Sequence, residues 1–327
     1  MRRGLTLIAI VAVAAVAVSR AAGPSVRQVR PPAPAAPSGF DSRRAWENLR
    51  QMVATGPRPA GSPALIQTRA YITHQLASYG LTVQEQPFQA RTPVGTVNMV
   101  NLLVTLKGPR PERIIFAGHY DTKLLRNRVF VGASDGASSA AELMELARVL
   151  KDRPRAFTYE FLWFDGEEAF CEGWDECGTP GSPDHTYGSR YYLQAAQKAG
   201  ATASIHAMIL LDMIGAKDLR VQRDGGSARW LNDLVWAAAK RLNFGEYFRD
   251  IDTDITDDHT AWVQAGIPCI DIIDLNDYPE WHQPTDDLDH VSAHSLQVVG
   301  DVVLAALPEI EKHTGTPIDN RKSLNRQ

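Results

Sequence analysis

Several things are scarce in this chain of 327 residues, and each scarcity removes a class of function. Cysteine occurs three times, at Cys171, Cys177 and Cys269, with no histidine or further cysteine beside them to complete a thiolate zinc set. Excess charge is missing too: the formal net charge is -4, which leaves no electrostatic footprint for nucleic acid. There is no glycine-rich phosphate loop. The Gly-Ser pairs at 61–62 and 188–189 lack the context of a nucleophile elbow. No internal repeat occurs. The uncharged apolar run Leu5 to Val18 falls short of the roughly 20 residues that span a bilayer comfortably.

That run follows the basic Met1-Arg2-Arg3 and precedes Ser19-Arg20-Ala21-Ala22, the pattern of a secretory signal peptide over residues 1–22. The protein is therefore expected to be exported, periplasmic or secreted, with no stable membrane span after cleavage. Arg20 in the cleavage region leaves an uncleaved N-terminal anchor as the alternative. No cysteine follows the run, which argues against a bacterial-type lipid anchor. In an exported protein Cys171 and Cys177 can close a small disulfide loop around Glu172-Gly173-Trp174-Asp175-Glu176; two free thiols are the alternative. Cys269, in Ile267-Pro268-Cys269-Ile270, reads as a buried thiol. Residues 23–39 form a Pro/Ala-rich linker, residues 40–310 a single catalytic domain, and residues 311–327 a polar tail.

Within the domain, helical and strand-like patterns alternate. Asp41 to Ala54 and Ser62 to Tyr79 have helical spacing, the second stopping at Gly80. Leu81 to Gln89 and Met99 to Leu106 alternate as strands. Further strands are expected at Arg113 to Gly118, Phe157 to Phe164, Ala207 to Leu211 and Pro268 to Ile273. Helices are expected at Ala137 to Leu150, Tyr187 to Lys198, Trp230 to Leu242 and Val291 to Leu307. This order predicts a three-layer α/β/α domain with a central mixed, largely parallel twisted sheet. Ligands bind such sheets beyond the carboxyl ends of the strands.

The polar residues of interest lie at those ends. The run Phe157 to Phe164 breaks into Asp165-Gly166-Glu167-Glu168. Adjacent carboxylates at the end of a buried strand are costly unless something pairs them. A metal ion can pair one and leave the other free to move protons. His119, Asp121, Asp135, Asp212, Asp257, Asp258 and His282 stand at other strand ends. Singly each has a bland account: Asp135 as a helix N-cap, Asp212 as a strand end, a loop histidine as solvated. Together they supply the histidine and carboxylate ligands that suit zinc.

His119-Tyr120-Asp121, Gly132-Ala133-Ser134-Asp135, Phe164-Asp165-Gly166-Glu167-Glu168-Ala169-Phe170, Tyr187-Gly188-Ser189-Arg190, Leu211-Asp212-Met213-Ile214-Gly215, Asp257-Asp258-His259 and Trp281-His282 follow one another along the chain. In these strings and their order the sequence resembles the zinc-dependent glutaminyl cyclases of animal type, which share their fold with the di-zinc aminopeptidases. The resemblance runs from Ala45 to Leu307 and implies a zinc-aminopeptidase-like fold. It implies that Asp135, Glu168 and His282 hold one zinc and that Glu167 is the general acid/base. Asp212 and Asp257 are implied as buried acids sharing hydrogen bonds near the reacting centre, and Trp281 and Trp174 as walls of the substrate pocket. His119 matches the position that binds a second zinc in the aminopeptidases. Gly118 and Ala140 stand where the animal enzymes carry a cysteine pair, so that bridge is excluded here. The stretch His282-Gln283-Pro284-Thr285-Asp286-Asp287 lies between the cyclase and peptidase patterns.

The implied activity is conversion of N-terminal glutamine of peptides or proteins to pyroglutamate with release of ammonia, by a monomer. The same residues could serve a zinc aminopeptidase hydrolysing N-terminal residues. A non-catalytic peptide-binding ectodomain on this fold would have lost its ligands, whereas every candidate ligand is present.

Overall fold

Four parallel strands decide where the polar residues meet. The structure, a computed structural model, describes residues 38–315; the expected signal peptide, nearly all of the linker and residues 316–327 lie outside them. β1 (Val83–Thr92) and β2 (Gly95–Leu106) form an antiparallel hairpin. β2 then runs antiparallel to β4 (Phe157–Phe164). β4, β3 (Arg110–His119), β7 (Ile205–Asp212) and β10 (Cys269–Ile273) are mutually parallel, and the sheet order is β1-β2-β4-β3-β7-β10. The register sets His119 opposite Phe164 and Ile273 opposite Asp212, so the carboxyl ends of all four strands share one edge.

All eight residues of β4 are buried, because a central strand is covered on both faces. This explains its unbroken apolar run. Alternate side chains feed two cores. Ile114, Phe116, Phe161, Trp163, Ile209 and Leu211 face α1 (Ser42–Val53), α2 (Pro63–Ser78), α3 (Ala137–Leu150), α5 (Arg229–Arg241) and α7 (Ala293–Gly315). Ile115, Ala117, Leu162, Phe164, Met208 and Leu210 face α4 (Tyr187–Lys198) and α6 (Thr260–Gln264). The three layers follow from this alternation. The chain passes from β3 to β4 through α3 on one face, then returns past β3 to β7 through α4 on the other. The reversal around β3 opens the crevice in which such sheets bind ligands.

Some elements differ from the sequence reading. α7 does not stop at Leu307 but runs through Pro308 to Gly315. Proline there gives up one backbone hydrogen bond, a cost of about 3 kcal/mol in a helix interior. The last turns are anchored instead by buried Ile310 and by Glu311, which accepts from the Ala156 amide at 2.8 Å and the Tyr159 hydroxyl at 2.7 Å. By length and composition α7 is apolar enough to cross a membrane, yet its residues Leu296, Val299 and Val303 are buried in the core. β5 (Gly178–Thr179) pairs with β6 (Ser182–Pro183), and β8 (Val221–Asp224) with β9 (Phe248–Thr253). These strands are too short or too exposed to leave an apolar period in the sequence.

Candidate active site

The acidic pair is aimed by its neighbours. Gly166 takes φ +72°, and a Cβ there would lie 2.6 Å from the Met99 sulfur, so only glycine lets the chain turn off β4 at this point. The amides of Glu167 and Glu168 then donate to the two oxygens of Asp121 at 3.1 and 3.4 Å. The loop carrying Asp135 packs equally closely. A Cβ on Gly136, at φ +88°, would sit 2.5 Å from the Asp121 carbonyl oxygen and 3.0 Å from the His119 ring. Asp121 and Gly136 thus bring the ends of β3 and β4 together with the loop that leads into α3.

Asp135, Glu168 and His282 converge. His282 Nε2 lies 3.1 Å from Glu168 Oε2 and 3.5 Å from Asp135 Oδ2, and one ligand atom from each of the three lies within 4.8 Å of the others. Asp135 Oδ2 and both Glu168 oxygens are buried without a hydrogen bond. Orphaned carboxylate oxygens facing an imidazole nitrogen form a donor set that fits a zinc ion. Burial opposes the charge on Glu168, but His282 beside it, with Lys123, holds its carboxyl below the usual range. His282 itself sits at φ 55°, a left-handed conformation uncommon outside glycine, with Phe130 edge-on at 5.6 Å and Trp281 stacked at 4.4 Å.

His119 lies behind this group. Its Nε2 is 3.0 Å from Asp212 Oδ1 and 3.2 Å from Asp135 Oδ1, and its Nδ1 is 3.7 Å from Glu167 Oε2. His119, Asp135 and Asp212 make a second ligand-like group sharing Asp135 with the first. Glu167 is buried but lines the pocket; burial pushes it well above the usual carboxylate range, against the pull of His119.

Asp212 and Asp257 are both buried, and both line the pocket. Asp212 Oδ1 is taken by His119 Nε2 at 3.0 Å and by the Met213 amide at 2.8 Å. Asp257 Oδ1 accepts from the Asp258 amide, and its Oδ2 has no partner. Burial and the charge of Asp212 push Asp257 up to about 7.

The pocket over these groups has a volume of about 240 Å³. Its walls are Trp174, Trp281, Met213, Ile255, Ile273 and Leu275, and its floor holds Glu167, Asp212, Asp257 and His282. Trp174 and Trp281 thus meet at one pocket. Trp174 stands on a loop closed by the Cys171–Cys177 disulfide, and it stacks on His185 at 4.2 Å between ring centres. Cys269 is a free, buried thiol.

The sequence reading gave no role to several residues now seen around the site. Met213 is one. Arg58 and Lys123, both fully buried cations, and Asp286 lie behind the ligand loops. His259 is held between Asp224, at 3.0 Å, and Asp271, at 3.5 Å, beneath Asp257. An arginine set between Pro57 and Pro59 was one available signal for Arg58.

Comparison with known proteins agrees with this geometry. The model of peptidase family M28 matches residues 101–307, more than half of the chain. The glutaminyl-peptide cyclotransferase-like protein of Mus musculus is 30% identical over 299 residues, covering 81% of this chain and 76% of the mouse protein. Within peptidase family M28, the chain belongs to the glutaminyl-peptide cyclotransferases. The glutaminyl-peptide cyclotransferase of Bothrops jararaca is also 30% identical, over 300 residues, with 80% of this chain and 79% of that one covered. Among solved structures, an Acidobacteriales bacterium glutaminyl cyclase is 33% identical with a TM-score of 0.78, covering 87% of this chain and 99% of that one. A Bacteroides thetaiotaomicron structure described as a leucine aminopeptidase precursor is 27% identical with a TM-score of 0.74, covering 82% of this chain and 97% of that one. The cyclotransferase fold is thus shared with proteins described as peptidases.

Proposed function

We propose that this cyclotransferase converts the N-terminal glutamine of peptides or proteins to pyroglutamate, with one zinc held by Asp135, Glu168 and His282. The observation that carries the activity is the likeness to glutaminyl-peptide cyclotransferases over four fifths of the chain, joined to a pocket that puts Glu167 beside that ligand set. In the reaction the α-amine nitrogen attacks the γ-amide carbon, the amide C–N bond breaks and ammonia leaves. Zinc, when bound, supplies Lewis-acid polarisation of the γ-carbonyl oxygen.

The chain's own residues do the rest. Glu167, which lines the pocket beside the ligand set, takes a proton from the attacking amine and passes it to the departing nitrogen. Asp212 fixes the His119 ring, and Asp257, whose Oδ2 has no partner, lines the pocket. Trp174 and Trp281 close a small space, which favours a folded conformer of the glutamine side chain and excludes water that would hydrolyse the amide. The enzyme acts as an exported monomer on free peptide N-termini.

A second reading rests on the group His119, Asp135 and Asp212, which a di-zinc aminopeptidase would use for its second ion. Metal analysis separates the two. Protein purified without added zinc should contain close to one zinc per chain. A reproducible value of two, with activity requiring both, would favour the peptidase.

A further inference from the structure

The loop that carries Asp135 is gripped from both sides by residues outside the ligand set. On its carbonyl side lies Arg58. The Arg58 guanidinium donates through Nη2 to the Gly132 carbonyl at 2.9 Å, through Nη1 to the Val131 carbonyl, and through Nε to the Tyr120 carbonyl at 3.0 Å. It thereby ties the Asp135 loop to the segment that follows β3. Arg58 is itself fixed: its amide donates to the Thr122 hydroxyl at 2.9 Å, and its carbonyl accepts from the Thr122 amide at 3.3 Å. The side chain is fully buried, and no carboxylate lies within ion-pair distance among the described residues. A buried cation without a direct partner is expensive. Its charge is offset at longer range by Asp135, Asp286, Asp121 and Glu168, which include two of the zinc ligands.

On the amide side lies Asp286. Its two carboxylate oxygens accept from the Ser134 amide at 2.7 Å and the Asp135 amide at 3.0 Å, and its carbonyl accepts from the Ala133 amide at 3.2 Å. The Tyr278 hydroxyl, at 2.7 Å, holds the carboxylate in turn. Asp286 stands four residues after His282. It therefore locks the loop of one ligand to the loop of another that is remote in sequence.

We infer that Arg58 and Asp286 form a clasp that positions Asp135 against His282 and Glu168, and so sets the metal affinity of the site. The inference rests on the zinc reading given above. Neither residue touches the pocket or the reacting atoms; both act through Asp135. The forked guanidinium reaches carbonyls of two loops at once, which a lysine ammonium cannot do, so the substitution by lysine is not conservative here. Asparagine at 286 keeps the shape but has one acceptor where two amides need two.

Zinc affinity of the purified protein, measured by competition with a chromophoric chelator, provides the test. Arg58→Lys and Asp286→Asn should each bind zinc about 10–100-fold more weakly, the usual cost of losing a group that orients a ligand. Saturating zinc should restore much of the turnover in both. Val303→Ala, a buried α7 substitution remote from the clasp, controls for lost stability and should leave zinc affinity within about twofold of wild type. Wild-type affinity in either folded clasp variant, or a loss in Val303→Ala as large as theirs, overturns the inference. If Arg58→Lys does not fold, Asp286→Asn decides the matter alone. Wild-type protein that takes up no zinc would instead overturn the metal reading, and this inference with it.

Discussion

Glu167 and Glu168 are adjacent, and both are buried, yet their surroundings push their protons in opposite directions. His282 and Lys123 face Glu168 and keep it charged; Glu167 meets the carboxylates of Glu168, Asp257 and Asp258, with His119 as its counterweight. Consecutive side chains at a strand end point to different places, and the proposed function accordingly gives the two different roles. Glu167→Gln keeps the shape and removes the base: turnover should drop roughly 10²-fold or more while zinc stays bound. Glu168→Gln removes an anionic ligand, so zinc is lost first and excess zinc restores part of the rate. Equal zinc loss in both variants would show the roles misassigned. At this scale the meeting of Asp135, Glu168 and His282, with Glu167 and both tryptophans at one pocket, was legible, because polar residue types that suit a metal stand at the ends of apolar strands. Arg58 and Asp286 were not. Their work is to hold backbone groups of other loops, and such pairings depend on which strand ends meet in space.

The disulfide loop is the element on which the pocket's outer wall depends. It presents Trp174, and Trp174 rests on His185. Burial, together with the nearby Arg190, pushes the His185 imidazole down to about 4. An unfolded histidine takes up its proton near pH 6.5. Below that pH the unfolded chain binds a proton that the folded one refuses, so stability from this group is lost as pH falls from about 6.5 to 4. The fall in Tm over that window should be smaller in His185→Phe, which keeps the ring stack but cannot titrate. An identical fall in both proteins would remove His185 from the account. Strand and helix order was readable from periodicity, because β4 is buried on both faces and α3 shows a clear apolar stripe. The end of α7 was not, since Pro308 signals a stop that tertiary contacts at Ile310 and Glu311 override. β8 and β9 were missed because only one or two of their side chains reach the core.

At the scale of the whole molecule, one α/β/α scaffold supports cyclisation in some relatives and is shared with proteins described as peptidases. The difference must lie in what the pocket does with its substrate. A small, aromatic-walled space favours attack by the substrate's own amine, whereas a site that holds an activated water favours hydrolysis. Both reactions begin at a peptide N-terminus, and their products differ. The purified protein should therefore be incubated with a peptide beginning in glutamine and, separately, with one beginning in leucine, and ammonia and free amino acid followed in each. Cyclisation predicts ammonia in step with loss of the glutamine peptide, no free glutamine and no free leucine. Release of free leucine or glutamine at a comparable rate, without ammonia, would contradict it.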